Sequence, residues 1–187
     1  DEESIGGQCH RLGVPIFAPA INDSSIGIGL TEHYHRMAQQ KKPGMVLDSI
    51  RDNYELTQIT VKSPETAAIY VAGGVPKNYI NDSVVMGYIF GRQRGHAYAL
   101  QVTTDSPHWG GLSGSTLGEA QSWGKIDLDA DFAMAFVEPS VSLPLLAAYV
   151  MARCDTKARG RLNYEWQEDR LVGLTVVKDK EKAAPQR

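Results

Sequence analysis

The sequence predicts an α/β fold in three layers, with a mostly parallel sheet and helices on both faces. Short apolar runs of strand length recur along the chain, and most are followed by segments whose apolar residues fall three and four apart. Glycine-rich turns close several of these runs, as strand-to-helix connections often do. With 187 residues, 42 % hydrophobic and 22 % charged, the chain has the length and balance of a single domain, residues 1–187, that can bury a core.

Gly13 to Ala20 is expected to be the first strand, and Ile26 to Gln40 the helix after it, with Asp23, Ser24 and Ser25 as candidate caps. Met45 to Asp48 reads as the second strand and Ile50 to Val61 as its helix. Ala67 to Val71 is a third, buried strand, closed by Gly73-Gly74 and followed by a helix over Pro76 to Tyr88. Pro76 suits a first helical turn, where its missing N–H costs nothing. His96 to Thr103 is the fourth strand, Ser115 to Lys125 a helix, Ala133 to Val137 the fifth strand and Leu143 to Arg153 the closing helix. Arg159 to Val177 suits either a hairpin or a helix and strand, and Lys178 to Arg187 a loose charged tail. No internal repeat or low-complexity block interrupts this order.

A net charge of -3 provides no basic patch for nucleic acid. The longest apolar run, Leu143 to Met151, contains Pro144 and falls well short of the roughly 20 residues of a membrane span. Cys9 and Cys154 show neither pairing nor metal-ligand spacing, so a reducing cytoplasm is the default. In Glu32-His33-Tyr34-His35 the two histidines point about 200° apart on a helix, so no metal is expected. Gly111-Leu112-Ser113-Gly114 lacks the form of a nucleophile elbow.

Glu119-Ala120-Gln121-Ser122-Trp123-Gly124-Lys125-Ile126 places one lysine beside an indole, a glycine and a carboxylate. A lysine attacks a carbonyl or imine carbon only as a neutral amine, which burial or a neighbouring cation makes available. Trp123 would form the dry wall and Glu119 would hold a cationic substrate amine. Taken alone, such a lysine is more often a surface residue beside a core tryptophan. In an open parallel sheet, ligands collect beyond the carboxyl ends of the strands. Asp23, Gly74 and the segment Thr103 to Gly114 are expected to form that rim. A Gly-x-Gly-x-x-Gly fingerprint is missing from the strand-to-helix turns.

Three stretches carry a resemblance: Val14 to Ser25, reading VPIFAPAINDSS; Ala72 to Lys77, reading AGGVPK; and Glu119 to Lys125. In this order and spacing they resemble the carboxyl-terminal part of a deoxyhypusine synthase subunit, over about Leu12 to Met151. The resemblance implies a Rossmann-like fold and NAD as cofactor. It also implies that Lys125 accepts a four-carbon aminobutyl unit as an imine after spermidine is oxidised. Glu119 and Trp123 would line the polyamine pocket. Asp23, Gly73, Gly74 and Glu138 would face the cofactor, with Thr104, Asp105 and Gly110 on the same rim. Roughly the first half of such a subunit is absent, and the chain opens on Asp1-Glu2-Glu3 without Met or a signal-like segment. A partner supplying that half, in the same or a separate chain, and a tetramer are therefore expected.

Three positions depart from the family pattern. Ile28 and Leu112 stand where it has pocket aspartates, and Asn78 stands in the substrate pocket where it has a proton-handling histidine. Asparagine cannot take up a proton at neutral pH. His108 is the candidate replacement base, with Asp105 nearby as a carboxylate. A pocket with fewer charges favours a small diamine such as putrescine as acceptor, giving a homospermidine synthase-type reaction. Modification of a lysine on translation factor five A and a non-catalytic regulatory subunit are the alternatives.

Overall fold

A computed structural model describes residues 1–155 and 159–178. Three helices come first. α1 (Ile5–Leu12) is capped by Ser4 and ends on Gly13 in the left-handed region, at φ 67°. α2 (Ser25–Gln39) starts from Ser24, whose Oγ accepts the Gly27 N–H, so Ser24 is the cap among the three candidates. α3 (Ser49–Lys62) starts from Asp48, which accepts the Arg51 N–H at 2.9 Å.

The expected strands at Gly13 to Ala20 and Met45 to Asp48 do not form. Residues 14–18 and 42–48 are irregular. A strand needs a ladder partner for its N–H and C=O groups, and among the described residues neither segment has one. Their side chains stay in solvent, with Ile16 60 % and Val46 84 % exposed.

The remaining elements follow the predicted alternation. β1 (Ala67–Val71), α4 (Gly74–Ile89) and β2 (His96–Thr103) lead to a 3-10 turn (Pro107–Trp109) and α5 (Leu117–Ser122). β3 (Ile126–Phe136) and α6 (Pro139–Arg153) come next. α6 keeps Pro144 inside it, so that proline interrupts the apolar run without ending the helix. β4 (Arg161–Gln167) and β5 (Arg170–Val177) pair antiparallel, which selects the hairpin from the two expectations for this region. Of the expected tail, residues 179–187 lie outside the described residues.

β1, β2 and β3 form one parallel sheet in that order, with Ile69 opposite Leu100 and Leu100 opposite Ala133. Ala68 and Tyr70 point to one face and meet Ala99, Leu117, Ala120 and Ile126 in the core. This alternation follows from the two-residue period of a strand. On the opposite face Ile69 and Tyr98 are exposed. The hairpin is tied to α3 through Gln58, which donates to the Asp169 carbonyl at 2.7 Å and accepts the Leu171 N–H at 2.9 Å.

A buried polar knot closes the start of β2. The Arg92 guanidinium donates to the carbonyls of Thr60 and Ser63, and more weakly to Thr66 Oγ1 at 3.3 Å. Thr66 Oγ1 lies 2.8 Å from His96 Nδ1. Burial, reinforced by the Arg92 charge, pushes the His96 imidazole down to about 4, so it is neutral at physiological pH. The His96 N–H donates to the Lys125 carbonyl at 3.0 Å, linking this knot to the lysine.

Candidate active site

Lys125 lies in the short connection between α5 and β3. Thr116 opens α5 with a capping box: its Oγ1 accepts the Glu119 N–H, and Glu119 Oε2 accepts the Thr116 N–H at 2.8 Å. α5 ends at Trp123, and Gly124 adopts φ 72°, a left-handed conformation that a glycine takes without penalty. The Gly124 carbonyl accepts the Tyr88 hydroxyl at 2.7 Å, and the Lys125 N–H donates to Ala120 at 3.0 Å. With its backbone held at both ends, Lys125 directs its side chain toward α4.

There Nζ donates to Asn78 Oδ1 at 3.0 Å and to Asp82 Oδ1 at 3.2 Å. Asn78 Nδ2 donates to Asp82 Oδ2 at 2.9 Å, closing a three-residue ring. Asn78 and Asp82 are one helical turn apart and therefore share a face. The Lys125 side chain is 17 % exposed and that of Asp82 44 %.

Lys125 and Asn78 border a cavity of about 370 Å³, also lined by Lys77, Asn81, Gly110, Leu112, Ser115, Glu119 and Trp123. Lys77 is buried, and its ammonium donates to the Ser115 carbonyl at 2.5 Å and hydroxyl at 2.7 Å. Loss of solvation lowers its proton affinity, Glu119 opposes that effect and Lys125 adds to it. The wall thus carries two lysines, Lys77 bonded to Ser115 and Lys125 bonded to Asn78 and Asp82.

The expected rim and this cavity coincide only in part. Gly110 and Leu112 line the cavity, whereas Ile28 is 73 % exposed on α2. His108 is outside the wall, its ring 5.2 Å from that of Trp109. Trp123 lines the cavity but is itself 76 % exposed. Glu119 is in the wall with one oxygen committed to the capping box.

The cofactor candidates gather through sheet topology. Because the strands are parallel and Val71 is opposite Val102 and Thr103 opposite Phe136, the residues that follow share an edge: Gly73, Thr104, Asp105 and Glu138. Asp105 accepts the Ser113 hydroxyl, and Glu138 caps α6 through the Ser140 N–H. Asp23 lies in the turn before α2, its N–H donating to Ala20, and among the described residues no side-chain bond ties it to this edge. α4 opens on Gly73 at φ 68° with no side-chain cap, which leaves first-turn N–H groups available to an anion. An uncapped helix start beside two glycines at the strand ends fits a dinucleotide pyrophosphate. Gly74 is also closely packed: a Cβ there would be 2.7 Å from Leu112 Cβ.

The family model for deoxyhypusine synthase matches residues 1–150. The chain belongs to this family. It is 48 % identical over 147 residues to a probable deoxyhypusine synthase 2 from Methanosarcina mazei, covering 78 % of this chain and 41 % of that protein. To a probable deoxyhypusine synthase 2 from Archaeoglobus fulgidus it is 47 % identical, covering 79 % of this chain and 47 % of that protein. A deoxyhypusine synthase-like protein from Chlorobaculum tepidum is 39 % identical over 166 residues, covering 88 % of this chain and 46 % of the relative. The chain spans less than half the length of these relatives.

Sequence reasoning missed Asp82 and the buried Lys77. The signal for Asp82 was present: it follows Asn78 by four residues inside a predicted helix, and that spacing puts both on one face. Among the described residues no three side chains form a metal-ligand group, and no helix is long and apolar enough to cross a membrane.

Proposed function

We propose that this chain carries the covalent centre of an NAD-dependent aminobutyl transferase of polyamine metabolism. The observation that carries the reading is Lys125, which lines the cavity and is held there by Asn78 and Asp82. Family membership supports the reaction class. In this reading Lys125 attacks the carbon of an oxidised amine and holds its four-carbon unit as an imine, which an acceptor amine then displaces. Trp123 lies along the alkyl chain and Glu119 pairs with its ammonium end. Gly73, Gly74, Thr104, Asp105, Gly110, Asp23 and Glu138 are the groups proposed to hold NAD, the free N–H groups of α4 taking the pyrophosphate. When bound, NAD supplies the hydride acceptor for the oxidation and the hydride donor for the final reduction.

Leu112 occupies the wall where the family pattern has an aspartate, which favours a small diamine such as putrescine as acceptor over a protein lysine. The cavity volume, about 370 Å³, is at the small end of ligand sites. A partner supplying the segments equivalent to the relatives' amino-terminal half would complete the site, in a tetramer by family expectation. The chain exposes 13518 Å² of surface, against roughly 8,900 Å² for a compact monomer of its mass. Val46, Ile50 and Ile16 are among the exposed apolar side chains such a partner would cover. Free Cys9 and Cys154 are compatible with the cytoplasm.

The test is mass spectrometry of the complete assembly incubated with NAD and spermidine, putrescine or agmatine, then quenched with borohydride to lock any imine. A four-carbon amine adduct on Lys125 is expected. Demonstrated NAD binding with Lys125 unmodified by every amine would leave a non-catalytic subunit as the answer.

A further inference from the structure

We propose that Asp82 is a catalytic residue, serving as counter-ion to the cationic imine on Lys125 and as relay for the protons that Lys125 loses. The proposal rests on the transferase reading and assigns within it a role that Asn78 cannot fill. Among the described residues, Asp82 is the carboxylate that reaches Nζ, at 3.2 Å. Glu119 is turned toward its own helix start, where its Oε2 accepts from Thr116. His108 packs edge-on against Trp109 outside the wall. Asn78 also touches Nζ, but as a neutral amide it only accepts that hydrogen bond and orients the carboxylate through its own Nδ2.

The charge balance of the step gives Asp82 its function. Lys125 starts as an ammonium and meets a neutral imine formed by oxidation of a secondary amine. The new bond joins Nζ to the imine carbon, and the bond that breaks joins that carbon to the departing nitrogen. Two protons leave Nζ and finish on the departing nitrogen, which departs as a neutral primary amine. Lys125 ends as a protonated imine, so one positive charge is present at Nζ before and after. A carboxylate at 3.2 Å compensates that charge in both states and lies within reach to receive and return a proton. Its partial exposure lets the amine arrive beside it, and its second oxygen is fixed by Asn78. Buried Lys77 sharpens the need, because it places a second cation in the same wall with its hydrogen bonds directed at Ser115.

The experiment reads the imine directly and requires neither NAD nor turnover. The full chain is mixed with 4-dimethylaminobenzaldehyde, whose protonated imine absorbs at longer wavelength than the neutral one. The spectrum of Lys125→Met, treated identically, is subtracted to remove other lysines. In the unsubstituted protein the difference spectrum at pH 7 should be that of the protonated imine. In Asp82→Asn the protonated fraction should fall by about tenfold or more, the effect of removing an opposite charge at this distance. Asp82→Glu should restore most of it, and circular dichroism shows whether each variant is folded. A folded Asp82→Asn with an unchanged protonated band overturns the assignment and leaves the transferase reading standing. No imine on Lys125 in the unsubstituted protein overturns both.

Discussion

His96 makes the protein acid-sensitive at a point tied to the proposed nucleophile. His96 is 2 % exposed, with Thr66 on Nδ1 and, among the described residues, no partner on Nε2. Arg92 and Asp127 are the charged groups facing it. Its folded-state value lies at about 4 against 6.5 for the free side chain. Between those values the unfolded chain binds the proton and the folded chain does not, so stability falls as pH drops through 6.5 toward 4. At about 1.4 kcal/mol per unit, the loss amounts to roughly 3 kcal/mol by pH 4. Carboxylates titrate over the same range, so the effect is isolated by comparison with His96→Asn, which keeps a polar atom near Thr66. Urea unfolding at pH 7 and pH 4 should show the unsubstituted protein losing roughly 3 kcal/mol more than the variant. Parallel losses in the two proteins would refute the argument. Because the His96 N–H holds the Lys125 carbonyl, amide exchange at 96 and around 125 should rise together in acid.

Two further substitutions test the packing around the cavity. Leu117→Ala removes a fully buried side chain where α5 meets the sheet and should cost about 2–5 kcal/mol in urea unfolding. Gly74→Ala places a methyl 2.7 Å from Leu112 Cβ and 3.1 Å from the Ser113 nitrogen, so the loop that carries the cavity wall must move. About 1–3 kcal/mol should be lost on thermal melting, and borohydride trapping of any amine on Lys125 should decrease with it.

The fold was legible where the chain supplies its own partners. β1 and β2 were predicted at their observed limits, and α4 nearly so, because alternation, the glycine pair and Pro76 all report local geometry that the sheet then uses. β3 runs seven residues longer at its start than the apolar run suggested, since Asp127, Asp129 and Asp131 break the hydrophobic pattern there. The apolar runs at 14–18 and 45–47 have strand composition, yet composition cannot provide a neighbouring ladder. Their exposure has the same origin as the chain's large surface: these residues are patterned for contacts that the described residues do not supply.

The site divides in the same way. Lys125, Trp123 and Glu119 are close in sequence, and a short helix brings all three to one wall; the family resemblance, more than their spacing, singles them out. The sequence instead points to the adjoining loop, to His108 as the base and to Asp105 as a nearby carboxylate. The structure directs Asp105 to Ser113 and His108 to Trp109, away from Nζ. The carboxylate at Nζ comes from the helix that carries Asn78, one turn further on. Asn78 and Asp82 are therefore best treated as one unit: the neutral amide at the first position holds a charged group at the second, and the lysine touches both. On that argument, Asn78→His alone would not reproduce the family's pattern, because a protonated imidazole there would compete with Lys125 for the same carboxylate.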